Sequence, residues 1–287
     1  MKNIFILLTL IGCYFNLNAN TNINAVVSVL PQQIFLKAIG GDKINIALMV
    51  KPGSSPHTYE PKPSQMRYIS KADVYFSIDV EFEKSWLPRF QNQNHNMKIV
   101  NLSHGIKKNH ITKHGHEHEH SHKSQHESLD PHIWTSPKNV KIIAKTIYDT
   151  LAKLDHKNQK YFKTNYDKFL NHIDDTDKQI KKILINTPKD TKFMVFHPAW
   201  GYFARDYNLI QLPIEIEGKN PKPRQIASLI KEAREEKITA ILTAPEFSTK
   251  IATQIAKELN IKVIKITPLN PKWSDNLINL ANTIKNK

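Results

Sequence analysis

Short β-branched runs alternate along this chain with segments whose apolar residues recur every three or four positions. That alternation predicts strands separated by helices, and therefore βαβ units with parallel sheets. Residues 24–30 read as a buried strand that ends at Pro31, which suits the first turn of a helix closing on Gly40 and Gly41. Residues 44–50 predict a second strand, followed by KPGSSPHTYEPKPSQ, whose Pro, Gly and Ser density predicts a loop. Ser64 is placed to cap a helix carrying Met66, Ile69 and Ala72; residues 73–78 predict a strand, 81–90 a short helix and 98–102 a fourth strand.

The alternation then breaks at a polar segment and resumes as helix. Ser136-Pro137 reads as an N-cap with proline at the first helical position, and Val140, Ile143, Ala144, Ile147, Leu151 and Leu154 keep helical spacing. A second helical period starts near Asn158, with Phe162, Tyr166, Phe169, Ile173, Ile180 and Ile183 on one face. About 28 residues at 1.5 Å each predict a rod of roughly 40 Å, suited to a rigid connector. Beyond Pro188, strands are predicted at 192–196, 209–216, 238–243 and 261–266, and helices at 199–206, 223–236, 249–260 and 273–285. The fold class is α/β, two (β/α) lobes with parallel sheets joined by a long rigid α-helix. The segments are 1–20 as an export signal, 21–135 as the first lobe, 136–188 as the helical region and 189–287 as the second lobe.

Composition changes this picture little. A 287-residue chain with 40% hydrophobic and 23% charged residues is that of a globular protein long enough for two domains. The net charge of +15 comes from lysines dispersed along every segment, with no basic stripe interleaved with aromatics, so nucleic acid is not an expected partner. Lys2 and the apolar stretch 4–11 make a signal peptide too short to span a bilayer, with Ala19 acceptable before the cut. Leu10-Ile11-Gly12-Cys13 also resembles a lipobox, so lipid anchoring through Cys13 is the alternative to soluble export to the periplasm. Cys13 is the single cysteine and supports no disulfide.

Histidine carries the chemistry. Of 14 histidines, eight lie between 104 and 126, in a segment with almost no aliphatic side chains. Such a segment cannot build a core, but its imidazoles can bind borderline transition metals weakly; His114, His116, His118, His120 and His122 are the densest group. Three others stand apart in Pro-flanked loops: His57 in SSPHTYEP after a strand, His132 in LDPHIW before a helix, and His197 in MVFHPAW at the carboxyl end of a strand. Ligands of open α/β sheets gather beyond the carboxyl ends of strands, so these three imidazoles from two lobes are candidates for one shared metal site.

PHTYEP, DPHIW and FHPAWGYFARDYNLIQLPIEIEGKNPKP resemble the zinc (ZnuA-like, cluster A-I) branch of the metal-binding solute-binding proteins of ABC importers, over nearly the whole mature chain. The resemblance implies Zn(II) held in an interlobe cleft by His57, His132 and His197, and delivery by a monomer to a cognate permease in the inner membrane. Three neutral imidazoles suit tetrahedral Zn²⁺, whereas manganese favours more oxygen ligands, and the manganese branch commonly has a carboxylate where His197 stands. The chain departs from the family at the fourth position, where ITPLN puts Thr267 in place of an aspartate. A hydroxyl is a poor zinc ligand, which leaves water, Glu60, Glu217 or Glu246 as candidates, water first and Glu60 next by its closeness to His57. Ala244 also stands where family members often carry a glutamate. Asp130 is placed to orient the His132 ring, while Trp134, Trp200 and Tyr202 read as cleft wall or core. Three competing readings are a three-histidine zinc hydrolase, a surface adhesin of the same fold and a histidine-rich metal buffer. HExxH and nucleophile-elbow motifs are both missing, so no enzyme is expected.

Overall fold

The computed structural model describes residues 22–111, 129–216 and 218–285. The predicted signal segment with Cys13, the histidines at 114, 116, 118, 120 and 122, and Glu217 lie outside the described residues. Two four-stranded parallel sheets are present. The first contains β1 (Ile23–Val27), β2 (Ile44–Leu48), β3 (Val74–Ser77) and β4 (Lys98–Asn101), in the order β2-β1-β3-β4. The second contains β5 (Thr191–Val195), β6 (Leu209–Pro213), β7 (Ala240–Thr243) and β8 (Lys262–Lys265), in the order β6-β5-β7-β8. The two sheets share one topology, and in each the first strand of the set lies inside the sheet. The predicted alternation and the α/β class hold.

Helices α1 (Leu30–Gly40), α2 (Pro63–Ile69) and α3 (Glu81–Gln93) connect the first sheet, and α6 (Gly201–Asp206), α7 (Pro223–Glu235) and α8 (Lys250–Leu259) the second; α9 (Trp273–Lys285) closes the chain. Between the sheets run α4 (Pro137–Leu154) and α5 (Gln159–Ile183). Helix α5 has 25 residues, which at 1.5 Å each gives a length of about 37 Å. It packs against α1, α4 and α9, and buries Phe162, Phe169, Ile173 and Ile180, the face predicted by periodicity. Phe35 of α1 meets Phe169 of α5 and, edge-on, Trp273 of α9. One hydrophobic core therefore runs from the first sheet through α4 and α5 to α9, with a smaller cluster under α7 and α8. Dense packing of this kind resists a wide hinge.

Several boundaries differ from expectation for local reasons. The strand predicted over 24–30 stops at Val27, because the Ser28 and Val29 amides donate instead to Gln32 Oε1. Ser64 does not cap α2: Pro63 occupies the first helical turn, one residue earlier, and the Lys62 amide donates to Gln65. Helix α3 runs through Pro88, with Phe90 seated on Tyr75 to hold the turn beyond it. Strand β6 ends at Pro213, yet the Ile214 and Glu215 amides still donate to the Val195 and Phe196 carbonyls, at 2.8 and 2.9 Å. That continuation sets Glu215 beside the end of β5. The start of α3 is fixed by buried Glu83, which accepts from the Ile78 and Asp79 amides and from Ser28. Burial pushes the Glu83 carboxyl up to about 7 against those bonds.

Candidate metal centre

The three Pro-flanked histidines converge. One ring nitrogen from each of His57, His132 and His197 lies within 4.8 Å of the others, and His57 Nε2 stands 3.1 Å from His197 Nε2. Among the described residues this is the one group of three or more metal-ligating side chains. His57 hangs from the loop between β2 and α2, His197 follows β5 by two residues, and His132 precedes a short 3₁₀ turn (Ile133–Thr135) leading into α4. Ser136 caps α4 as predicted by accepting from the Asn139 amide, which fixes the direction of that segment.

Each ring has its own carboxylate on Nδ1. Glu81 at the start of α3 faces His57 at 3.0 Å, Asp130 faces His132 at 2.8 Å, and Glu215 faces His197 at 2.5 Å. A carboxylate on Nδ1 selects the tautomer whose proton sits there and leaves Nε2 with its lone pair outward. The His57 and His197 lone pairs then face each other across 3.1 Å, an arrangement that a cation between them relieves. Ligands 2.0–2.1 Å from a tetrahedral zinc stand roughly 3.3 Å apart, so the spacing fits that ion. Burial lowers the His57 and His197 pKa values, with neighbouring imidazoles adding to it and the carboxylates opposing it. Both rings are therefore neutral and able to ligate at pH 7.

The wall of the site is apolar and tight. Phe247 stacks on His197 with ring centres 4.4 Å apart, and Trp134 meets His132 edge-on at 5.3 Å. Trp134 Nε1 donates to the Pro268 carbonyl, and Trp273 Nε1 donates to the carbonyl of Trp134, tying the His132 segment to the second half of the chain. Pro56, Trp134, Glu246, Phe247, Pro268, Leu269 and the three histidines enclose a cavity of about 10 Å³, room for one ion or one water.

The expected site residues distribute unevenly. Asp130 holds His132 as anticipated: its Oδ1 accepts from both the amide and Nδ1 of that residue. Glu60 is exposed and lies outside the lining of the cavity, whereas Glu246 borders it. Trp134 is cleft wall, and Trp200 and Tyr202 are core, with Tyr202 Oη donating to the Asp130 carbonyl. Glu81, Glu215 and Phe247 were not legible in advance, because nothing in sequence marks which carboxylate a ring will find. Gly201 was also missed; a Cβ there would come within 2.9 Å of Asp130 Oδ2 and 3.1 Å of Gln211 Nε2, so only glycine leaves Asp130 its place.

The carboxylates differ in exposure, which ranks their effects. Asp130 is 1% exposed and Glu81 is 60% exposed. Asp130→Asn is expected to weaken zinc binding by about 10- to 100-fold, the range for an outer hydrogen-bonding partner, and Glu81→Gln by less than tenfold because solvent replaces it. Competition titration against a zinc chelator gives both numbers; equal losses would contradict the ranking.

Two parallel-sheet α/β halves here point three carboxylate-backed imidazoles at a single-ion pocket, which makes a candidate metal-binding site. The chain belongs to the ZnuA family, described as "Zinc-uptake complex component A periplasmic", whose model matches residues 25–286. It is 30% identical over 250 residues to the high-affinity zinc uptake system protein ZnuA of Bacillus subtilis (strain 168), covering 84% of this chain and 76% of that protein. It is 27% identical over 290 residues to the zinc-binding protein AdcA of Streptococcus pyogenes serotype M3, covering 93% of this chain but 56% of that protein. The chain thus spans about half the length of its AdcA relatives. A crystal structure of ZnuA superposes with a TM-score of 0.84 at 38% identity, covering 92% of this chain and 98% of that one; a zinc-bound deletion mutant of ZnuA gives 0.83 at 38%, covering 92% and 97%. The laminin-binding adhesin Lmb of Streptococcus agalactiae shares the fold, with a TM-score of 0.76 at 22% identity over 92% of this chain and 99% of that one.

Proposed function

We propose that this protein captures Zn(II) outside the cytoplasmic membrane between its two lobes, through His57, His132 and His197, and delivers it to an ABC permease for uptake. The observation that carries the reading is the set of three Nε2-directed imidazoles, drawn from both halves of the chain and each backed by a carboxylate. Neutral nitrogen donors at this spacing suit zinc better than manganese. A cavity of about 10 Å³ admits an ion and excludes an organic substrate, which favours cargo binding over hydrolysis. The protein acts as a monomer in the periplasm. No helix among the described residues is long and apolar enough to cross a membrane. Anchoring through Cys13 is the alternative export route, and a relative in Streptococcus pneumoniae is described as a zinc-binding lipoprotein.

The test is stoichiometry and its dependence on the histidine-rich segment. Purified protein is expected to bind one Zn(II) tightly and further ions weakly, and deletion of residues 110–126 to remove the weak ions alone. Loss of the tight site on deletion would transfer the function to the segment and end this reading. A purified zinc form that turns over esters, peptides or CO₂, and loses that turnover in His197→Ala, would make the protein a hydrolase instead.

A further inference from the structure

The resemblance to the family implies a fourth metal position after β8, and the structure shows what stands beside it. Thr267 occupies that position, and its Oγ1 lies 2.9 and 3.0 Å from the two carboxylate oxygens of Glu246. The same Oγ1 accepts from the Leu269 amide at 3.0 Å, which commits the hydroxyl proton to Glu246. Glu246 comes from the loop after β7 and is half-buried. It is the one carboxylate among the described residues lining the three-histidine cavity. No lysine or arginine pairs with it among the described residues. The turn that carries it is closed by the Phe247 amide donating to the Ala244 carbonyl, and Phe247 in turn stacks on His197.

Glu246 borders the cavity of three neutral nitrogens with no lysine or arginine pairing with it among the described residues. Its oxygens stand outside the 4.8 Å cluster of the three imidazoles, so the side chain must turn to meet an ion, and an arriving cation offsets the cost of its partial burial. We propose that Glu246, in the loop after β7, is the fourth ligand of the bound ion, and that Thr267, in the loop after β8, orients it rather than ligating. This rests on the three-histidine zinc reading above. Both carboxylate oxygens share the Thr267 hydroxyl, so one can turn to the ion while the other keeps the bond. Three neutral imidazoles and one anion leave a singly charged complex, which lowers the cost of holding Zn²⁺ in an apolar pocket. A second carboxylate at 267 would face Glu246 across a few ångströms and repel it, whereas the Thr267 hydroxyl donates to it.

The test compares wild type with Glu246→Ala, Glu246→Gln, Thr267→Val and the double variant Glu246→Ala/Thr267→Asp, using Zn(II) competition titrations and Co(II) visible spectra. Both Glu246 variants are expected to bind Zn(II) at least ~10-fold more weakly, the lower edge of what metal-site partners contribute. Thr267→Val, which keeps the carboxylate but frees it, should lose less. The double variant should regain affinity, showing that a carboxylate and not the fold is what was lost. The Co(II) spectrum of wild type should stay constant between pH 7 and 9, while Glu246→Ala should acquire a pH-dependent spectrum as water enters and loses its proton, near 7 for a metal-bound water. Glu246→Ala binding Zn(II) as tightly as wild type, or a wild-type Co(II) spectrum that already titrates like the variant's, would overturn the proposal and assign the position to water. Failure of the zinc reading itself looks different: His197→Ala would then retain tight binding.

Discussion

His197→Ala is expected to weaken Zn(II) binding by well over the ~100-fold that removal of an outer hydrogen-bonding partner can cost, because it deletes a ligand rather than its support. His197 is the one imidazole of the three from the second sheet, reached two residues after β5, so its loss leaves His57 and His132 as a two-nitrogen site open on one side. The substitution also strips Phe247 of its stacking partner and leaves Glu215, 9% exposed, without its donor. An unpaired buried carboxylate destabilises by about 1–3 kcal/mol or more, so a lowered thermal midpoint in the metal-free variant should accompany the lost affinity. His57→Ala and His132→Ala should each weaken binding strongly as well. Isothermal or chelator-competition titration of the three variants, with circular dichroism to confirm folding, reads the outcome. A folded His197→Ala protein within tenfold of wild-type affinity would remove the metal centre from this position.

The parts of this molecule readable in sequence are those set by local chemistry. Alternating β-branched runs and helical periods gave the parallel sheets, and the Ser136-Pro137 cap appears where it was placed, because caps and proline positions depend on a few neighbouring residues. The convergence of the three histidines was legible because they sit at Pro-bounded loop positions near sheet ends. What sequence did not yield is pairing across distance. Glu81 meets His57 over 24 positions and Glu215 meets His197 over 18, set by how α3 begins and how β6 continues past Pro213. Closeness in sequence pointed to Glu60, yet the loop after β2 turns that side chain to solvent, and Glu246 arrives at the cavity from 189 residues beyond His57.

Pairing across distance also sets how the halves are held together. The Trp273 indole of α9 donates to the Trp134 carbonyl of the first-lobe ligand segment, and Phe35, Phe169 and Trp273 pack together at the centre of the α1, α5 and α9 contact. His132, buried at 4%, is thereby fixed to the common core, whereas His57 rides on an exposed loop with an exposed carboxylate partner.

Acid should empty this site over a narrow range. Zinc competes with protons for each imidazole, so affinity falls once the rings begin to protonate, by up to about one decade per pH unit for each histidine. An ordinary histidine protonates near 6.5, and burial holds His57 and His197 below that value. Affinity should therefore be nearly constant from pH 8 to 7, begin to fall below about 6.5, and drop steeply toward pH 5. The metal-free fold follows the same groups. Their folded pKa values are depressed, so the unfolded chain binds more protons, and their contribution to stability is present above about 6.5 and is lost as pH falls through the folded values. Zinc-loaded protein should consequently release its ion and lose thermal stability together on acidification, while His57→Ala shows a shallower dependence because one proton has left the exchange. Chelator competition at half-unit steps between pH 8 and 5 measures the slope; an affinity unchanged between pH 7 and 5 would rule out a centre built from neutral imidazoles.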